Sequence, residues 1–123
     1  ALGNDISILG GEPFFQADGL GRFASIIKSE SEFGIIVFTG YEFHELIKES
    51  RNHTLINNSD AIKCGRFNKK EFTRSKIFMG SKNQYWIHIT DRYIDKLSEN
   101  YQSISIDITS EAISFSGWPE FFK

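Results

Sequence analysis

The stretch DISILGGEPFFQ, Asp5 to Gln16, passes from a short apolar run into two glycines, an acid and a proline. Residues 5–9 have the pattern of a short buried strand. A helix is predicted for residues 18–29 because apolar side chains recur there at i, i+3, i+4 and i+7, and Asp18 is expected to cap its start. A strand that ends in glycines just before a helix is typical of a βα unit with open backbone groups at the corner.

The chain continues to alternate between strand and helix patterns. FGIIVFTG, residues 33–40, is a nearly continuous apolar run, which is typical of a strand covered on both faces of a parallel sheet. A second helix is predicted for residues 41–50, with Glu42 and Glu45 on a solvated face, and residues 52–60 are expected to be polar turn material. Further strands are predicted for residues 60–64 and 84–90, with a charged connector at residues 69–76.

The last part of the chain has a different pattern. SISIDI, residues 103–108, alternates polar and apolar side chains, and ISFSGW follows after the short polar segment TSEA. Two alternating runs across a short gap predict a β-hairpin. The element order therefore predicts an α/β fold with parallel strands and an antiparallel ending, in a single domain over residues 1–123. Its βα core spans residues 1–98, and the hairpin and tail span residues 99–123.

Composition limits the class of protein. The 123 residues are 40% hydrophobic and 24% charged, as expected for a soluble globular domain, and the net charge of -2 is too small to attract nucleic acid or an acidic membrane. No apolar run reaches the roughly 20 residues that a membrane helix needs, and no secretory leader is recognised. The single cysteine, Cys64, excludes an internal disulfide and favours a reducing, cytoplasmic compartment. A start at Ala1 rather than methionine leads us to expect a processed or trimmed piece.

Polar and glycine residues follow each of the first three predicted strands. Ligands bind at the carboxyl ends of parallel strands, and these ends carry the triplets GGE, TGY and CGR. The carbonyls of Gly10 and Gly11 and the carboxylate of Glu12 suit an ammonium group, whereas the planar guanidinium of Arg66 suits a carboxylate. Together they would accommodate an amino-acid moiety. The alternative, tight-turn glycines with solvated charges, stays open at this point.

Four segments carry a resemblance to a known family. They are ISILGGEPFFQ, IIVFTGYEFHEL, SDAIKCGRF and MGSKNQYWIHIT, and they occur in the order and spacing of the radical S-adenosylmethionine activating enzymes. Within that superfamily the chain most resembles the small activases of anaerobic ribonucleotide reductase, over residues 5–90. The resemblance implies a partial parallel βα barrel with helices outside, followed by the C-terminal hairpin.

The resemblance also implies a set of cofactor-binding residues. Gly10, Gly11 and Glu12 match the GGEP motif, whose backbone and acid bind the methionyl ammonium of S-adenosylmethionine in this family. Cys64 stands where relatives have an aspartate before the glycine, and a thiol is a weak, mostly uncharged hydrogen-bonding group that does not reproduce it. The positions assigned to the cofactor pocket on the later strands are Thr39, Cys64, Arg66 and Asn83. A pocket-side structural role is implied for the GSxNQ segment, namely Gly80, Ser81, Asn83 and Gln84.

One family feature is missing from these residues. Relatives carry CxxxCxxC ahead of GGEP, where three thiolates hold a [4Fe–4S] cluster whose fourth iron is chelated by S-adenosylmethionine. The parent activity is radical formation on a glycine of a partner enzyme such as anaerobic ribonucleotide reductase. One cysteine cannot hold such a cluster in the usual way, so the chain alone is not expected to catalyse this reaction.

Three explanations of the missing ligands are open. The chain is the C-terminal part of a longer enzyme, or a cluster-free binding module with a residual amino-acid or nucleoside pocket, or a small scaffold without a ligand. With the first strand of the family absent, residues 5–9 are expected to form an exposed sheet edge through which the chain self-associates. His44, His53 and His88 lack metal-ligand spacing and are expected to be structural or solvent-facing.

Overall fold

The structure, a computed structural model, describes residues 4–66, 68, 70 and 83–97, together with the backbone of two later strands. The strands are β1 (Asp5–Ile8), β2 (Gly34–Phe38), β3 (Ala61–Cys64), β4 (Tyr85–His88), β5 (Ser103–Ile108) and β6 (Ile113–Ser116). The helices are α1 (Ala17–Glu30), α2 (Phe43–Leu46), α3 (His53–Asn57) and α4 (Ile94–Leu97), with short 3₁₀ helices at Pro13–Gln16 and Ser50–Asn52.

The six strands form one mixed sheet in the order of the chain, from β1 to β6. β1, β2 and β3 are parallel neighbours, β4 is antiparallel to β3, β5 is parallel to β4, and β6 is antiparallel to β5. The predicted α/β class, the parallel start and the closing hairpin are confirmed. The expected partial parallel barrel does not extend to β4, which is antiparallel to β3, because apolar composition places a strand in a sheet without determining its direction.

The central strands are buried on both faces, as the apolar run in residues 33–40 predicts. Ile35, Val37 and Ile62 pack against the helices in the larger core, and Ile36 and Ala61 pack on the opposite face against Trp86 and Tyr93. Successive side chains of a strand point to opposite faces, so one short strand contributes to both cores. β1 lies at the end of the sheet and has β2 as its partner, which confirms the expected edge position among the described strands.

The segment predicted to be polar turn material is helical. Residues 53–57 form α3, and Leu55 and Ile56 are both 0% exposed. The prediction was wrong because two apolar residues among polar ones are too few to show a period, whereas packing against α1 decides the conformation. The contact is close, since a Cβ added to Gly21 of α1 would lie 3.1 Å from the Cβ of Thr54. The second helix predicted for residues 41–50 is confined to α2.

Two helix starts differ from expectation. α1 begins at Ala17 with Gln16 as N-cap, so the prediction that Asp18 caps it is wrong, because the preceding 3₁₀ helix leads directly into α1. At α2, Glu42 and Glu45 form a capping box rather than a solvated pair. The Glu42 side chain accepts from the backbone of Glu45, and the Glu45 side chain accepts from the Glu42 N–H at 2.8 Å.

A buried carboxylate joins the elements at the start of β3. Asp60 is 1% exposed, and its oxygens accept hydrogen bonds from the Lys28 ammonium at 2.7 Å, the Ile35 N–H at 2.8 Å and the Thr90 hydroxyl at 2.8 Å. A buried charge needs such partners to offset its desolvation. This network connects α1, β2 and the residues after β4, and it lies at the opposite strand ends from the candidate site. No helix in the described ranges is long and apolar enough to cross a bilayer.

Candidate functional site

The corner after β1 leaves backbone groups uncovered. Gly10 has a φ of 100°, in the left-handed region that favours glycine, and it is exposed together with Gly11. A Cβ added at either position would meet no heavy atom within 4 Å. A ligand can therefore approach the main chain here, as the sequence pattern of this corner predicts.

The carboxylate of Glu12 connects the ends of β1 and β2. Its Oε2 accepts from the Thr39 hydroxyl at 2.8 Å and from the Phe14 N–H at 3.0 Å, and its Oε1 accepts from the Gly40 N–H at 2.9 Å. A carboxylate has about four acceptor positions, so these three bonds leave about one position open on Oε1. Glu12 is therefore both a structural link between two strands and an anion with remaining acceptor capacity.

Two hollows lie on either side of Glu12. The first, a cavity of about 250 Å³, is lined by Gly10, Gly11, Glu12, Thr39, Gly40 and Lys63 together with apolar neighbours. The second is a shallow cleft of about 220 Å³. It is lined by Glu12, Phe15, Gly40, Tyr41 and Arg66. The structure thus brings the predicted residues of the first two strand ends to one cavity and Arg66 to its neighbour.

Arg66 has an intramolecular partner. Its Nη1 donates to Glu45 Oε1 at 3.1 Å, and its guanidinium carbon lies 5.7 Å from the ring centroid of Tyr41. The hydrogen bond to Glu45 raises the pKa of Arg66, and the pKa of Glu45 is lowered first by the Glu42 N–H and then by Arg66. The pair is exposed, so it contributes little to stability. It does hold Arg66 on the cleft side of Glu12.

The structure places Cys64 in the hydrophobic core on the helix side of the sheet, where it is 0% exposed. Burial raises the pKa of its thiol well above the usual range, and the nearby Glu42 carboxylate adds to this shift. The thiol is consequently neutral and makes a weak contact with the Ile62 carbonyl at 3.9 Å. It does not line either hollow beside Glu12.

The amides of Asn83 and Gln84 support the end of β3. Asn83 Nδ2 donates to the Arg66 carbonyl at 2.8 Å, and Gln84 Nε2 donates to the Gly65 carbonyl at 2.9 Å. Gly65 has a φ of 103°, which makes glycine the favoured residue at this turn. Both amides thus hold backbone around the predicted pocket. Gly80, Ser81 and the connector predicted for residues 69–76, except Lys70, lie outside the described residues.

Lys63 is a site residue that the sequence pattern did not indicate. Lys63 lines the cavity together with Gly10 and Glu12, and its ammonium lies 5.8 Å from the ring centroid of Phe38. Burial lowers the pKa of Lys63, although the Glu12 carboxylate opposes the shift. The signal was available, since a polar residue between buried Ile62 and Cys64 must face the other side of the sheet.

Residues 2–87 match a family model described as a 4Fe-4S single cluster domain. The chain belongs to this family. Its membership agrees with the iron–sulfur part of the resemblance and is not specific to activases of anaerobic ribonucleotide reductase. No curated protein and no solved structure matches the chain.

The donor set of this family member does not fit a cluster. Fe–S clusters of this type are held by cysteine thiolates, commonly four of them, and the 123 residues contain one cysteine. That cysteine is buried in the hydrophobic core and lines neither hollow beside Glu12. Within the described ranges no three His, Cys, Asp or Glu side chains come together in a way that would hold a metal. These residues therefore bind no cluster by themselves.

Proposed function

We propose that the β1 corner binds the amino-acid moiety of S-adenosylmethionine and that the chain is the C-terminal part of a radical S-adenosylmethionine activating enzyme. The observation that supports this most is the Glu12 carboxylate, fixed beside exposed Gly10 and Gly11 with an acceptor position still open. An ammonium group has three donors and would bind the carboxylate and the glycine carbonyls together. The parallel β1–β3 unit with its helices on one face is also what part of a βα barrel would contain.

The proposed parent is an anaerobic, cytoplasmic activase that forms a glycyl radical on a partner such as anaerobic ribonucleotide reductase. Its cluster chemistry needs thiolates that these residues lack, so the chain alone is proposed to be inactive. What it contributes is the positioning of the cofactor's amino-acid end. The resemblance of residues 5–90 to the small activases and the iron–sulfur family membership support this assignment.

The poor fit to a cluster favours a second candidate, a cluster-free binding module with the same pocket. In this case Cys64, which stands at the family's aspartate position, lies in the core and outside both hollows. The two candidates share the pocket and differ in whether cluster-binding cysteines are encoded upstream of Ala1. Sequencing the reading frame upstream of Ala1 separates them, since a CxxxCxxC segment supports the activase and an adjacent start codon supports the module.

Titration of the chain with S-adenosylmethionine tests the pocket itself. Binding should be weak, in the millimolar range that about 4 kcal/mol supports, because the cluster that chelates this ligand in relatives is missing. 5′-Methylthioadenosine has the nucleoside but neither the ammonium nor the carboxylate. It should bind at least several-fold more weakly, and equal affinity for the two compounds would contradict an amino-acid site.

The variant Glu12→Ala should abolish the binding of S-adenosylmethionine. Because Glu12 also links β1 to β2, the melting temperature of the variant must be measured together with its affinity. Glu32→Ala, at an exposed position in the loop before β2, is the matched control and should bind as the wild type does. A folded Glu12→Ala chain with unchanged affinity would overturn the assignment of the pocket.

A further inference from the structure

The side chain of Lys63 lies on the cavity side of the sheet. Ile62 and Cys64 on either side are both in the helix-facing core, so the alternation of β3 directs Lys63 to the opposite face. Phe38 is its neighbour in register on β2 and contacts it through the ring. A strand of the sheet, and not a loop, therefore places Lys63 in the lining of the cavity that Gly10 and Glu12 share.

Apart from the ring of Phe38, the ammonium of Lys63 has no hydrogen-bonding or ion-pair partner in the described part of the chain. Its side chain makes no hydrogen bond or ion pair with the described residues, while its backbone carbonyl accepts from the Thr39 N–H at 2.9 Å. Lys63 is half-buried, and burial penalises its charged form. A partly desolvated cation without an acceptor is costly, and an anionic group in the cavity would remove this cost.

Glu12 does not neutralise Lys63, although the two line the same cavity. No ion pair within 4.0 Å joins them, and three acceptor positions of Glu12 are taken by Thr39, Gly40 and Phe14. The cavity therefore carries an unpaired cation on one wall and an anion with spare acceptor capacity on another. This distribution is complementary to a zwitterion, with its ammonium toward Glu12 and its carboxylate toward Lys63.

We propose that Lys63 binds the carboxylate of the α-amino-acid group whose ammonium is held at Glu12. The proposal rests on the proposed function and refines it, since the sequence pattern assigned the carboxylate to Arg66. Arg66 already donates to Glu45, is 62% exposed and lines the cleft on the other side of Glu12. Lys63 is thus the cation that shares a cavity with the glycine corner.

The test compares two ligands and three variants by chemical-shift titration at millimolar ligand. S-adenosylmethionine and its decarboxylated form both keep the ammonium, and they differ in the carboxylate. Wild-type protein should prefer the carboxylate form about tenfold or more, the factor expected for one charge-assisted hydrogen bond. Lys63→Met, which keeps an apolar stem against Phe38, should bind both ligands with the same weak affinity. Lys63→Arg should restore part of the preference.

Arg66→Met removes the cation that the sequence pattern assigned to the carboxylate, and it should keep the wild-type preference for the carboxylate form. Circular dichroism confirms that each variant is folded. If Lys63→Met retains the full preference, or if Arg66→Met loses it, the role of Lys63 is overturned while the amino-acid site stands. If wild-type protein binds S-adenosylmethionine no better than 5′-methylthioadenosine, the site itself is wrong and the role of Lys63 falls with it.

Discussion

The hydroxyl of Thr39 donates a 2.8 Å hydrogen bond to the carboxylate of Glu12 across the ends of the first two strands. Thr39 is buried and its hydroxyl also accepts from the Tyr41 N–H at 3.1 Å. Thr39→Val keeps the shape and removes both bonds, leaving Glu12 with one donor fewer. We expect the free energy of unfolding to fall by about 1–3 kcal/mol, measured by urea denaturation.

Thr39→Ser is the matched control for this variant because it keeps the hydroxyl. It should lose well under half as much stability as Thr39→Val. Equal losses in the two variants would show that the methyl group, and not the link to Glu12, stabilises this corner.

The glycines of α1 provide a paired test of helix packing. A Cβ at Gly19 meets nothing within 4 Å, so Gly19→Ala should stabilise the protein by about 0.5–1 kcal/mol through reduced backbone entropy in the unfolded chain. A Cβ at Gly21 would lie 3.1 Å from Thr54 Cβ and 3.2 Å from the backbone nitrogen of Leu55. Since the backbone of Leu55 cannot rotate away as a side chain can, Gly21→Ala should lower the free energy of unfolding by about 1–3 kcal/mol. A Tm increase for both variants would mean that α3 packs less closely on α1.

The imidazole of His88 makes stability depend on pH. It is 1% exposed, neither ring nitrogen has a hydrogen-bond partner among the residues that the structure describes, and burial lowers its pKa from 6.5 to about 4. The folded state therefore holds His88 neutral while the unfolded state takes up a proton below pH 6.5. Stability from this group is fully present above pH 6.5 and is lost as pH falls toward 4, by an amount on the order of 3 kcal/mol.

The comparison of wild type with His88→Leu isolates this contribution. The variant should lack that part of the decline between pH 6.5 and 4, so the difference in unfolding free energy between the two proteins should change across this window. NMR titration of the His88 ring in the native state provides an independent check. A constant difference between wild type and variant over the window would contradict the inferred shift.

Cys64 should be unreactive in the folded protein. Its thiol is buried and neutral, and alkylation requires an accessible thiolate. Labelling with iodoacetamide at pH 8 should be slow in buffer and rapid in urea, at the rate of an unfolded cysteine. Anaerobic incubation with iron and sulfide should give no stoichiometric cluster absorption. Rapid labelling without denaturant, or one cluster per chain, would contradict the placement of Cys64 in the core.

The edge strand β1 should promote self-association. It has one described neighbour, β2, and Ser7 in its middle is exposed. Unpaired edge groups recruit other chains, and a lysine on the edge opposes this. Sedimentation should show dimers or larger species at high concentration in wild type and less association in Ser7→Lys. Ser25→Lys, on an exposed face of α1, controls for added charge. A monomeric wild-type profile would contradict the prediction.

Local patterns in the sequence were sufficient for the elements whose period is long or whose composition is extreme. The apolar run of β2, the helical repeat of α1 and the alternating hairpin strands β5 and β6 were all predicted within a few residues of their observed bounds. The glycine corner at Gly10 and Gly11 was also evident, because few other residues tolerate such a turn. These features depend on residues that are adjacent in the chain.

Tertiary packing decided the features that depend on distant residues. The direction of β4 depends on its pairing with β3, which its composition does not specify. The helical state of α3 depends on the surface that it covers, because its five residues are too few to show a helical period. The pairing of Arg66 with Glu45 and the placement of Lys63 beside Glu12 join segments at least 20 positions apart. Residue types and spacing determined which charges this protein has near its strand ends. Only the folded sheet decided which charges are paired and which face the cavity, because pairing is set by distance in space and not along the chain.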